Sequence, residues 1–300
     1  MKQRHISTSF MDELRNGNYK QVVKLVQEDD TLDMEMRGDS IIVYYRGGKL
    51  FELCEGGKLN PLDKNYGSTD VPISLEHIEV YCQQGKNLID KYQTTTRSNL
   101  GEKEISQRII LENNYSKCSY DTDYFIVDFE FNDGKQFDLV ALKWESTSSA
   151  HKTKKCQIAL IETKQGITTL RSSNTNPGIK KHYSDYQEFV SSINVKEFQD
   201  DMITVFKQKC ALGLVRGING ENDSLKVDEN TEFDLSEDIE FIAVLANYKT
   251  ASKNLANELD EMSGNNNCKF AVSSFMGYGL YSRYILNCKQ LRDYCQSCGD

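Results

Sequence analysis

The stretch Cys156-Gln-Ile-Ala-Leu-Ile-Glu-Thr-Lys164 constrains this chain more than any other. Ile158, Ala159, Leu160 and Ile161 form an unbroken apolar run, the pattern of a strand covered on both faces rather than one alternating between core and water. Such a strand needs helices on both sides of its sheet, so an α/β protein with a mixed sheet is expected. The run passes directly into Glu162-Thr163-Lys164. Alternation puts Glu162 and Lys164 on the face of Ile158 and Leu160. Two charges at the core-side end of a buried strand are costly unless they pair or bind something.

The preceding segment, 136–144, mirrors this one, with Asp138 standing just before Leu139-Val-Ala-Leu142. If the two strands form an antiparallel hairpin with Asp138 opposite Glu162, the connection centres on residue 150, inside the polar loop 146–155. Chain order then brings Asp138, Glu162 and Lys164 to one end of one hairpin. Directly opposed carboxylates repel, by roughly several tenths of a kcal/mol or more, and the arrangement calls for a cation. Oxygen-only ligands suit Mg²⁺ or Mn²⁺ rather than zinc. The competing reading is a buried ion pair between Lys164 and one of the acids, which leaves the second carboxylate uncompensated.

Along the chain, the first 95 residues read as helix (11–28), three-strand meander (32–36, 41–45, 50–53) and helix (74–92), with a polar boundary at 93–98. Arg37-Gly-Asp-Ser40 and Arg46-Gly-Gly-Lys49 supply the turns. Residues 96–300 read as a second domain. It holds a helix at 100–112, strands at 124–131, 136–144 and 156–164, helices at 179–190 and 196–212, a strand at 239–246, a helix at 251–262 and a strand at 270–276. Asn132-Asp-Gly-Lys135 is a tight hairpin turn. Segment 281–295 is apolar enough to pack, as either strand or helix.

The net charge of −9 argues against a protein coated in basic surface. It conceals an asymmetry: between Lys143 and His182 eight Lys or Arg face two acids, so that window is +6 and the remainder −15. An acidic body with one basic window suggests a localised polyanion contact, or a solvated lysine-rich loop. No run approaches eighteen apolar residues, which speaks against a membrane partner. The polar first ten residues lack a signal-peptide core, so a cytoplasmic location is expected. Nine cysteines, an odd number, read as ordinary thiols of a reducing compartment. A zinc site at Cys295-x-x-Cys298 would need a second close pair, where only Cys288 and the isolated Cys268 are near.

A helix, three antiparallel strands, a helix and a further strand, with Asp138 upstream of an apolar strand ending Glu162-Thr163-Lys164, resembles the PD-(D/E)XK nuclease superfamily. The resemblance covers about residues 100–246 and implies a restriction-endonuclease-like core behind an N-terminal helix/β-meander/helix module. It also implies a divalent-metal-dependent nuclease, a DNA endonuclease ahead of one acting on RNA. In that family the carboxylates matching Asp138 and Glu162 bind Mg²⁺ or Mn²⁺, often joined by the main-chain carbonyl at the position of Thr163. The lysine matching Lys164 orients or helps deprotonate the attacking water. Many members add an acid from the preceding helix, for which Glu112 is the candidate, with Glu104 behind it. Cutting both strands of a duplex often uses a homodimer. The chain departs from the pattern in two ways: Phe137 stands where a proline is common, and 24 residues separate Asp138 from Glu162, an excess that loop 146–155 accounts for.

The flanks fit phosphate handling. Residues 167–178 are rich in hydroxyls and amides and include Arg171. Pro177-Gly178 then opens a helix bearing Lys180, Lys181 and His182 near its positive end. These four residues are candidates to hold a backbone phosphate, and they fit an ordinary loop and capped helix equally well. His182 reads as a structural histidine ahead of a general base. Serine-hydrolase, Walker A, zinc-protease and dinucleotide motifs do not occur. The alternative function is a nucleic-acid- or protein-binding module that keeps the nuclease fold without cleavage.

Overall fold

The computed structural model describes residues 2–96, 101–116, 122–145, 154–166, 177–219, 225–236, 238–246, 253–262, 264–265, 267–273 and 277–297. The fold is mixed α/β. By internal contact the chain forms two compact units, one of residues 2–120 with 200–231 and one of residues 121–199 with 232–300. The sequence places its boundary at 95/96 instead. The grouping of 101–116 with the meander has a local cause: Gln107 donates to the carbonyls of Thr31 and Tyr44, both at 3.2 Å, and Glu104 pairs with Arg46 at 3.0 Å.

The first unit begins with α1 (Thr8–Arg15) and α2 (Lys20–Glu28). The single helix expected over 11–28 is split at Asn16-Gly17-Asn18, poor helix formers that end α1. Ser7 caps α1, its Oγ accepting the Phe10 N–H at 3.1 Å. Four antiparallel strands follow: β1 (Leu32–Met36), β2 (Ser40–Tyr45), β3 (Gly48–Cys54) and β4 (Leu59–Asn60), then α3 (Ile78–Thr96) and α4 (Glu102–Ile110).

Arg46 and Gly47, with φ of 49° and 76°, make the primed turn between β2 and β3. A Cβ on Gly47 would lie 2.6 Å from the Lys103 carbonyl carbon. Gly47→Ala is therefore expected to destabilise this unit by on the order of 2 kcal/mol, from the left-handed backbone and the backbone clash together. An unchanged urea midpoint would contradict this.

The second unit holds β5 (Tyr124–Asn132), β6 (Gln136–Lys143), β7 (Lys155–Gln165) and α5 (Ile179–Ser192). The chain continues through α6 (Val195–Ala211), which the division between units crosses, to β8 (Asp234–Leu235) and β9 (Glu240–Ala246). It ends in α7 (Lys253–Glu261), β10 (Cys268–Ser273), β11 (Leu286–Asn287) and α8 (Cys288–Ser297). The strands form a seven-stranded sheet in the order β11-β10-β9-β7-β6-β5, with β8 pairing the start of β7. β6 runs antiparallel to both its neighbours, β5 and β7, whereas β9 runs parallel to β7 and β10 parallel to β9.

β7 is buried continuously from Ile158 to Lys164, as its apolar run requires. Helix α5 packs on β7 and β9. Phe131, Phe137, Phe189 and Phe198 stack edge to face with ring centres 5.4–5.6 Å apart across the strand–helix layers. Segment 281–295 divides into a 3-10 turn (Ser282–Tyr284), the two-residue strand β11 and most of α8. No helix of the described residues is long and apolar enough to cross a membrane.

Candidate metal centre

The centre lies where β6 begins and β7 ends. Their ladder pairs Leu142 with Ile158, Ala141 with Ala159, Val140 with Leu160 and Leu139 with Ile161. One step further in the same register, Asp138 stands across from Glu162. The Thr163 N–H donates to Asp138 Oδ2 at 2.7 Å, tying the two strand ends together. Lys164, on the same face as Glu162, places Nζ 3.6 Å from Glu162 Oε2. From α5, His182 brings Nδ1 to 3.3 Å from Glu162 Oε1. Glu162, Thr163 and Lys164 are buried, and Asp138 is half-buried.

Sequence reasoning overlooked Glu130. In the β5–β6 ladder it falls between the pairs Phe129–Leu139 and Phe131–Phe137, and so across from Asp138. Its φ of 56° is unusual for a non-glycine residue in a strand. The signal was available: the turn at Asp133-Gly-Lys135 aligns Glu130 with Asp138 by the argument that aligned Asp138 with Glu162. Glu130 lies near enough for its charge to act on the Asp138 carboxyl. Burial, first, and the charges of Glu162 and Glu130 hold the Asp138 carboxyl well above the usual carboxylate range, against the opposing pull of Lys164 and the Thr163 N–H.

A carboxyl that binds its proton more tightly folded than unfolded stabilises at low pH. That stability is lost as pH rises from the ordinary carboxyl range through the folded-state value. In the metal-free protein, Asp138→Asn keeps an acceptor for the Thr163 N–H and removes the charge. It is expected to raise the melting midpoint relative to wild type, by a margin that widens with pH. A midpoint lowered equally at pH 4 and pH 8 would contradict the electrostatic account.

As for a metal, the donors here are oxygens, and a cation beside Asp138 and Glu162 would relieve the repulsion that lifts the Asp138 carboxyl. Among the described residues, no group of three or more His, Cys, Asp or Glu could enclose an ion. Asp138 and Glu162 supply the kind of donor that Mg²⁺ takes, one or two carboxylates alongside several waters.

Glu112 is exposed on the π-helical turn Leu111–Tyr115, in the unit that contains the meander. Glu104, the reserve candidate, is buried and committed to Arg46 at 3.0 Å and Arg108 at 3.1 Å. Arg171 lies outside the described residues. Lys180 and Lys181 are half exposed on the first turn of α5. Lys180 Nζ is 2.6 Å from Glu261 Oε2, and Lys181 pairs with Asp185. The positive end of α5 already carries a carboxylate, since the Lys180 N–H donates to Glu258 Oε2 at 3.3 Å. His182 is turned inward, with Nδ1 on Glu162 at 3.3 Å. Cys118 and Cys298 lie outside the described residues, and no disulfide joins the other seven cysteines. No family model, curated protein or solved structure matches the chain.

Proposed function

We propose that this chain is a divalent-metal-dependent phosphodiesterase acting on nucleic acid, a DNA endonuclease with a restriction-endonuclease-like core. The observation that carries the reading is the register of β6 and β7, which sets Asp138 across from Glu162 with Lys164 on the same face. The order of β5, β6, β7 and β9, three antiparallel strands followed by a parallel one, supports it.

In this reading Asp138 and Glu162 hold Mg²⁺ or Mn²⁺, with the Thr163 carbonyl as a third oxygen. The bound ion supplies Lewis-acid polarisation of the phosphoryl oxygen and a lowered pKa for water. Lys164 donates a hydrogen bond to the attacking water and orients it toward phosphorus. His182 restrains the Glu162 oxygen that Lys164 does not reach, and the Thr163 N–H restrains Asp138 Oδ2, so both carboxylates keep their positions through turnover. The test is cleavage of plasmid and oligonucleotide substrates, DNA and RNA, with Mg²⁺, Mn²⁺ or EDTA. Metal-dependent scission that EDTA abolishes is expected. No scission of any substrate with either metal would refute the enzyme.

A specific observation favours a second reading, a binding module that keeps this strand arrangement without cleaving. The lysines expected on phosphate are paired with Glu261 and Asp185, in a chain of net charge −9. Calorimetric titration with Mn²⁺ separates the two readings, because a heat that disappears in Asp138→Asn belongs to the metal enzyme alone.

A further inference from the structure

The second unit carries a feature that the phosphodiesterase reading leaves unused, on the far side of β9 from β7. The β10–β11 ladder pairs Phe270 with Leu286 and Lys269 with Asn287. One step on, Cys268 faces Cys288. Directly opposed residues of an antiparallel pair have Cα atoms about 4.5–5.5 Å apart, inside the range of about 4.4–6.8 Å that a disulfide spans.

Cys288 is also the first residue of α8, and that helix start is well defined. Asn287 and Gln290 form a reciprocal capping box: the Gln290 N–H donates to Asn287 Oδ1 at 2.8 Å, and the Asn287 N–H to Gln290 Oε1 at 2.9 Å. A helix N-terminus favours a thiolate over a thiol. The neighbouring Cys268 side chain holds the Cys288 thiol below the usual range and is itself pushed up by that contact and by burial, while the Cys288 thiol donates to the Met262 carbonyl at 3.7 Å. Burial first, with nearby acids adding to it, drives the thiols of Cys82 and Cys156 the other way, to about 12. Cys268 is fully buried, whereas Cys288 keeps 7% of its surface in contact with solvent.

We propose that Cys268 and Cys288 form a peroxide-reactive dithiol that closes into a reversible cross-strand disulfide, with Cys288 attacking and Cys268 resolving. The Cys288 thiolate attacks one oxygen of hydrogen peroxide; an S–O bond forms, the O–O bond breaks, and hydroxide leaves and takes a proton to become water. The Cys268 sulfur then attacks the Cys288 sulfenic acid; the S–S bond forms, the S–O bond breaks, and the departing hydroxide takes the Cys268 proton. Two thiols lose two electrons in all, and one peroxide becomes two waters. The bond ties the start of β10 to the first turn of α8 and does not depend on the metal centre.

The test treats the full chain with hydrogen peroxide, alkylates it under denaturing conditions and maps it by mass spectrometry. Alkylatable thiols are expected to fall from nine to seven, with one cross-linked peptide joining Cys268 to Cys288 and full recovery in dithiothreitol. Cys268→Ser should halt at a dimedone-reactive sulfenic acid on Cys288. Because the wild-type map needs no variant, a poorly folding Cys268→Ser does not blunt the test. Two outcomes would overturn the proposal: both thiols still alkylated after peroxide, or Cys288 joined instead to Cys295 or Cys298.

Discussion

Replacing Glu162 by glutamine is expected to reduce metal-dependent phosphodiester cleavage by on the order of 10²-fold or more, with the chain still folded. Glu162 is the pivot of the centre, with Lys164 at 3.6 Å on one oxygen and His182 at 3.3 Å on the other. Glutamine keeps the shape but removes the charge that would hold an ion. It leaves Asp138 as the carboxylate beside Lys164, so the lysine is not stranded without a countercharge. With its neighbour neutral, the Asp138 carboxyl should fall back toward the ordinary range, since the Glu162 charge is second only to burial in raising it. Lys164→Ala should lower turnover comparably while sparing Mn²⁺ binding, which separates the lysine's work on water from the carboxylates' work on the ion. Wild-type rates in both variants would refute the assignment.

The largest effect on stability is expected in the first unit, at a pair that takes no part in the proposed chemistry. Lys209 on α6 and Glu35 on β1 are both fully buried, with Nζ 2.7 Å from Oε1, and Arg37 lies 4.0 Å from the other Glu35 oxygen. Lys209→Met leaves a buried carboxylate facing an apolar side chain and should cost about 3–5 kcal/mol. The single tryptophan, Trp144, belongs to the other unit, so the loss is best read from hydrogen exchange of the β1 amides. Pairing the change with Glu35→Leu should recover most of the loss, because two apolar groups of similar volume replace two desolvated charges. If the double variant proved as unstable as the single one, the cost would lie in packing rather than charge.

Much of the centre could be read from the chain because antiparallel register is arithmetic. Once the turn in a hairpin is located, each residue's partner follows, and a one-residue slip would send every side chain to the wrong face. That logic put Asp138 across from Glu162, and it would have found Glu130 had it been applied to the neighbouring turn. It does not reach residues placed by helices. Position 112 follows the α4 pattern and is acidic, yet α4 is bonded to the meander through Glu104 and Gln107. Lys180 and Lys181 carry the expected charge, but their partners come from α7 and from the next turn of α5.

β1 draws the same line most sharply. Its sequence, Leu-Asp-Met-Glu-Met, alternates as though Asp33 and Glu35 faced water, and the strand is buried along its whole length. Glu35 finds its cation 174 residues away on α6, and Asp33 accepts from the Tyr115 hydroxyl at 3.2 Å. Local pattern determined the strands, their turns and the register within each hairpin, because neighbours in the chain dictate backbone geometry and alternation. Only the tertiary structure decided which charges are buried, which lysines are already matched and where His182 points. Those outcomes turn on the desolvation of each charge against the partner that packing brings to it, and the partner comes from elsewhere in the chain.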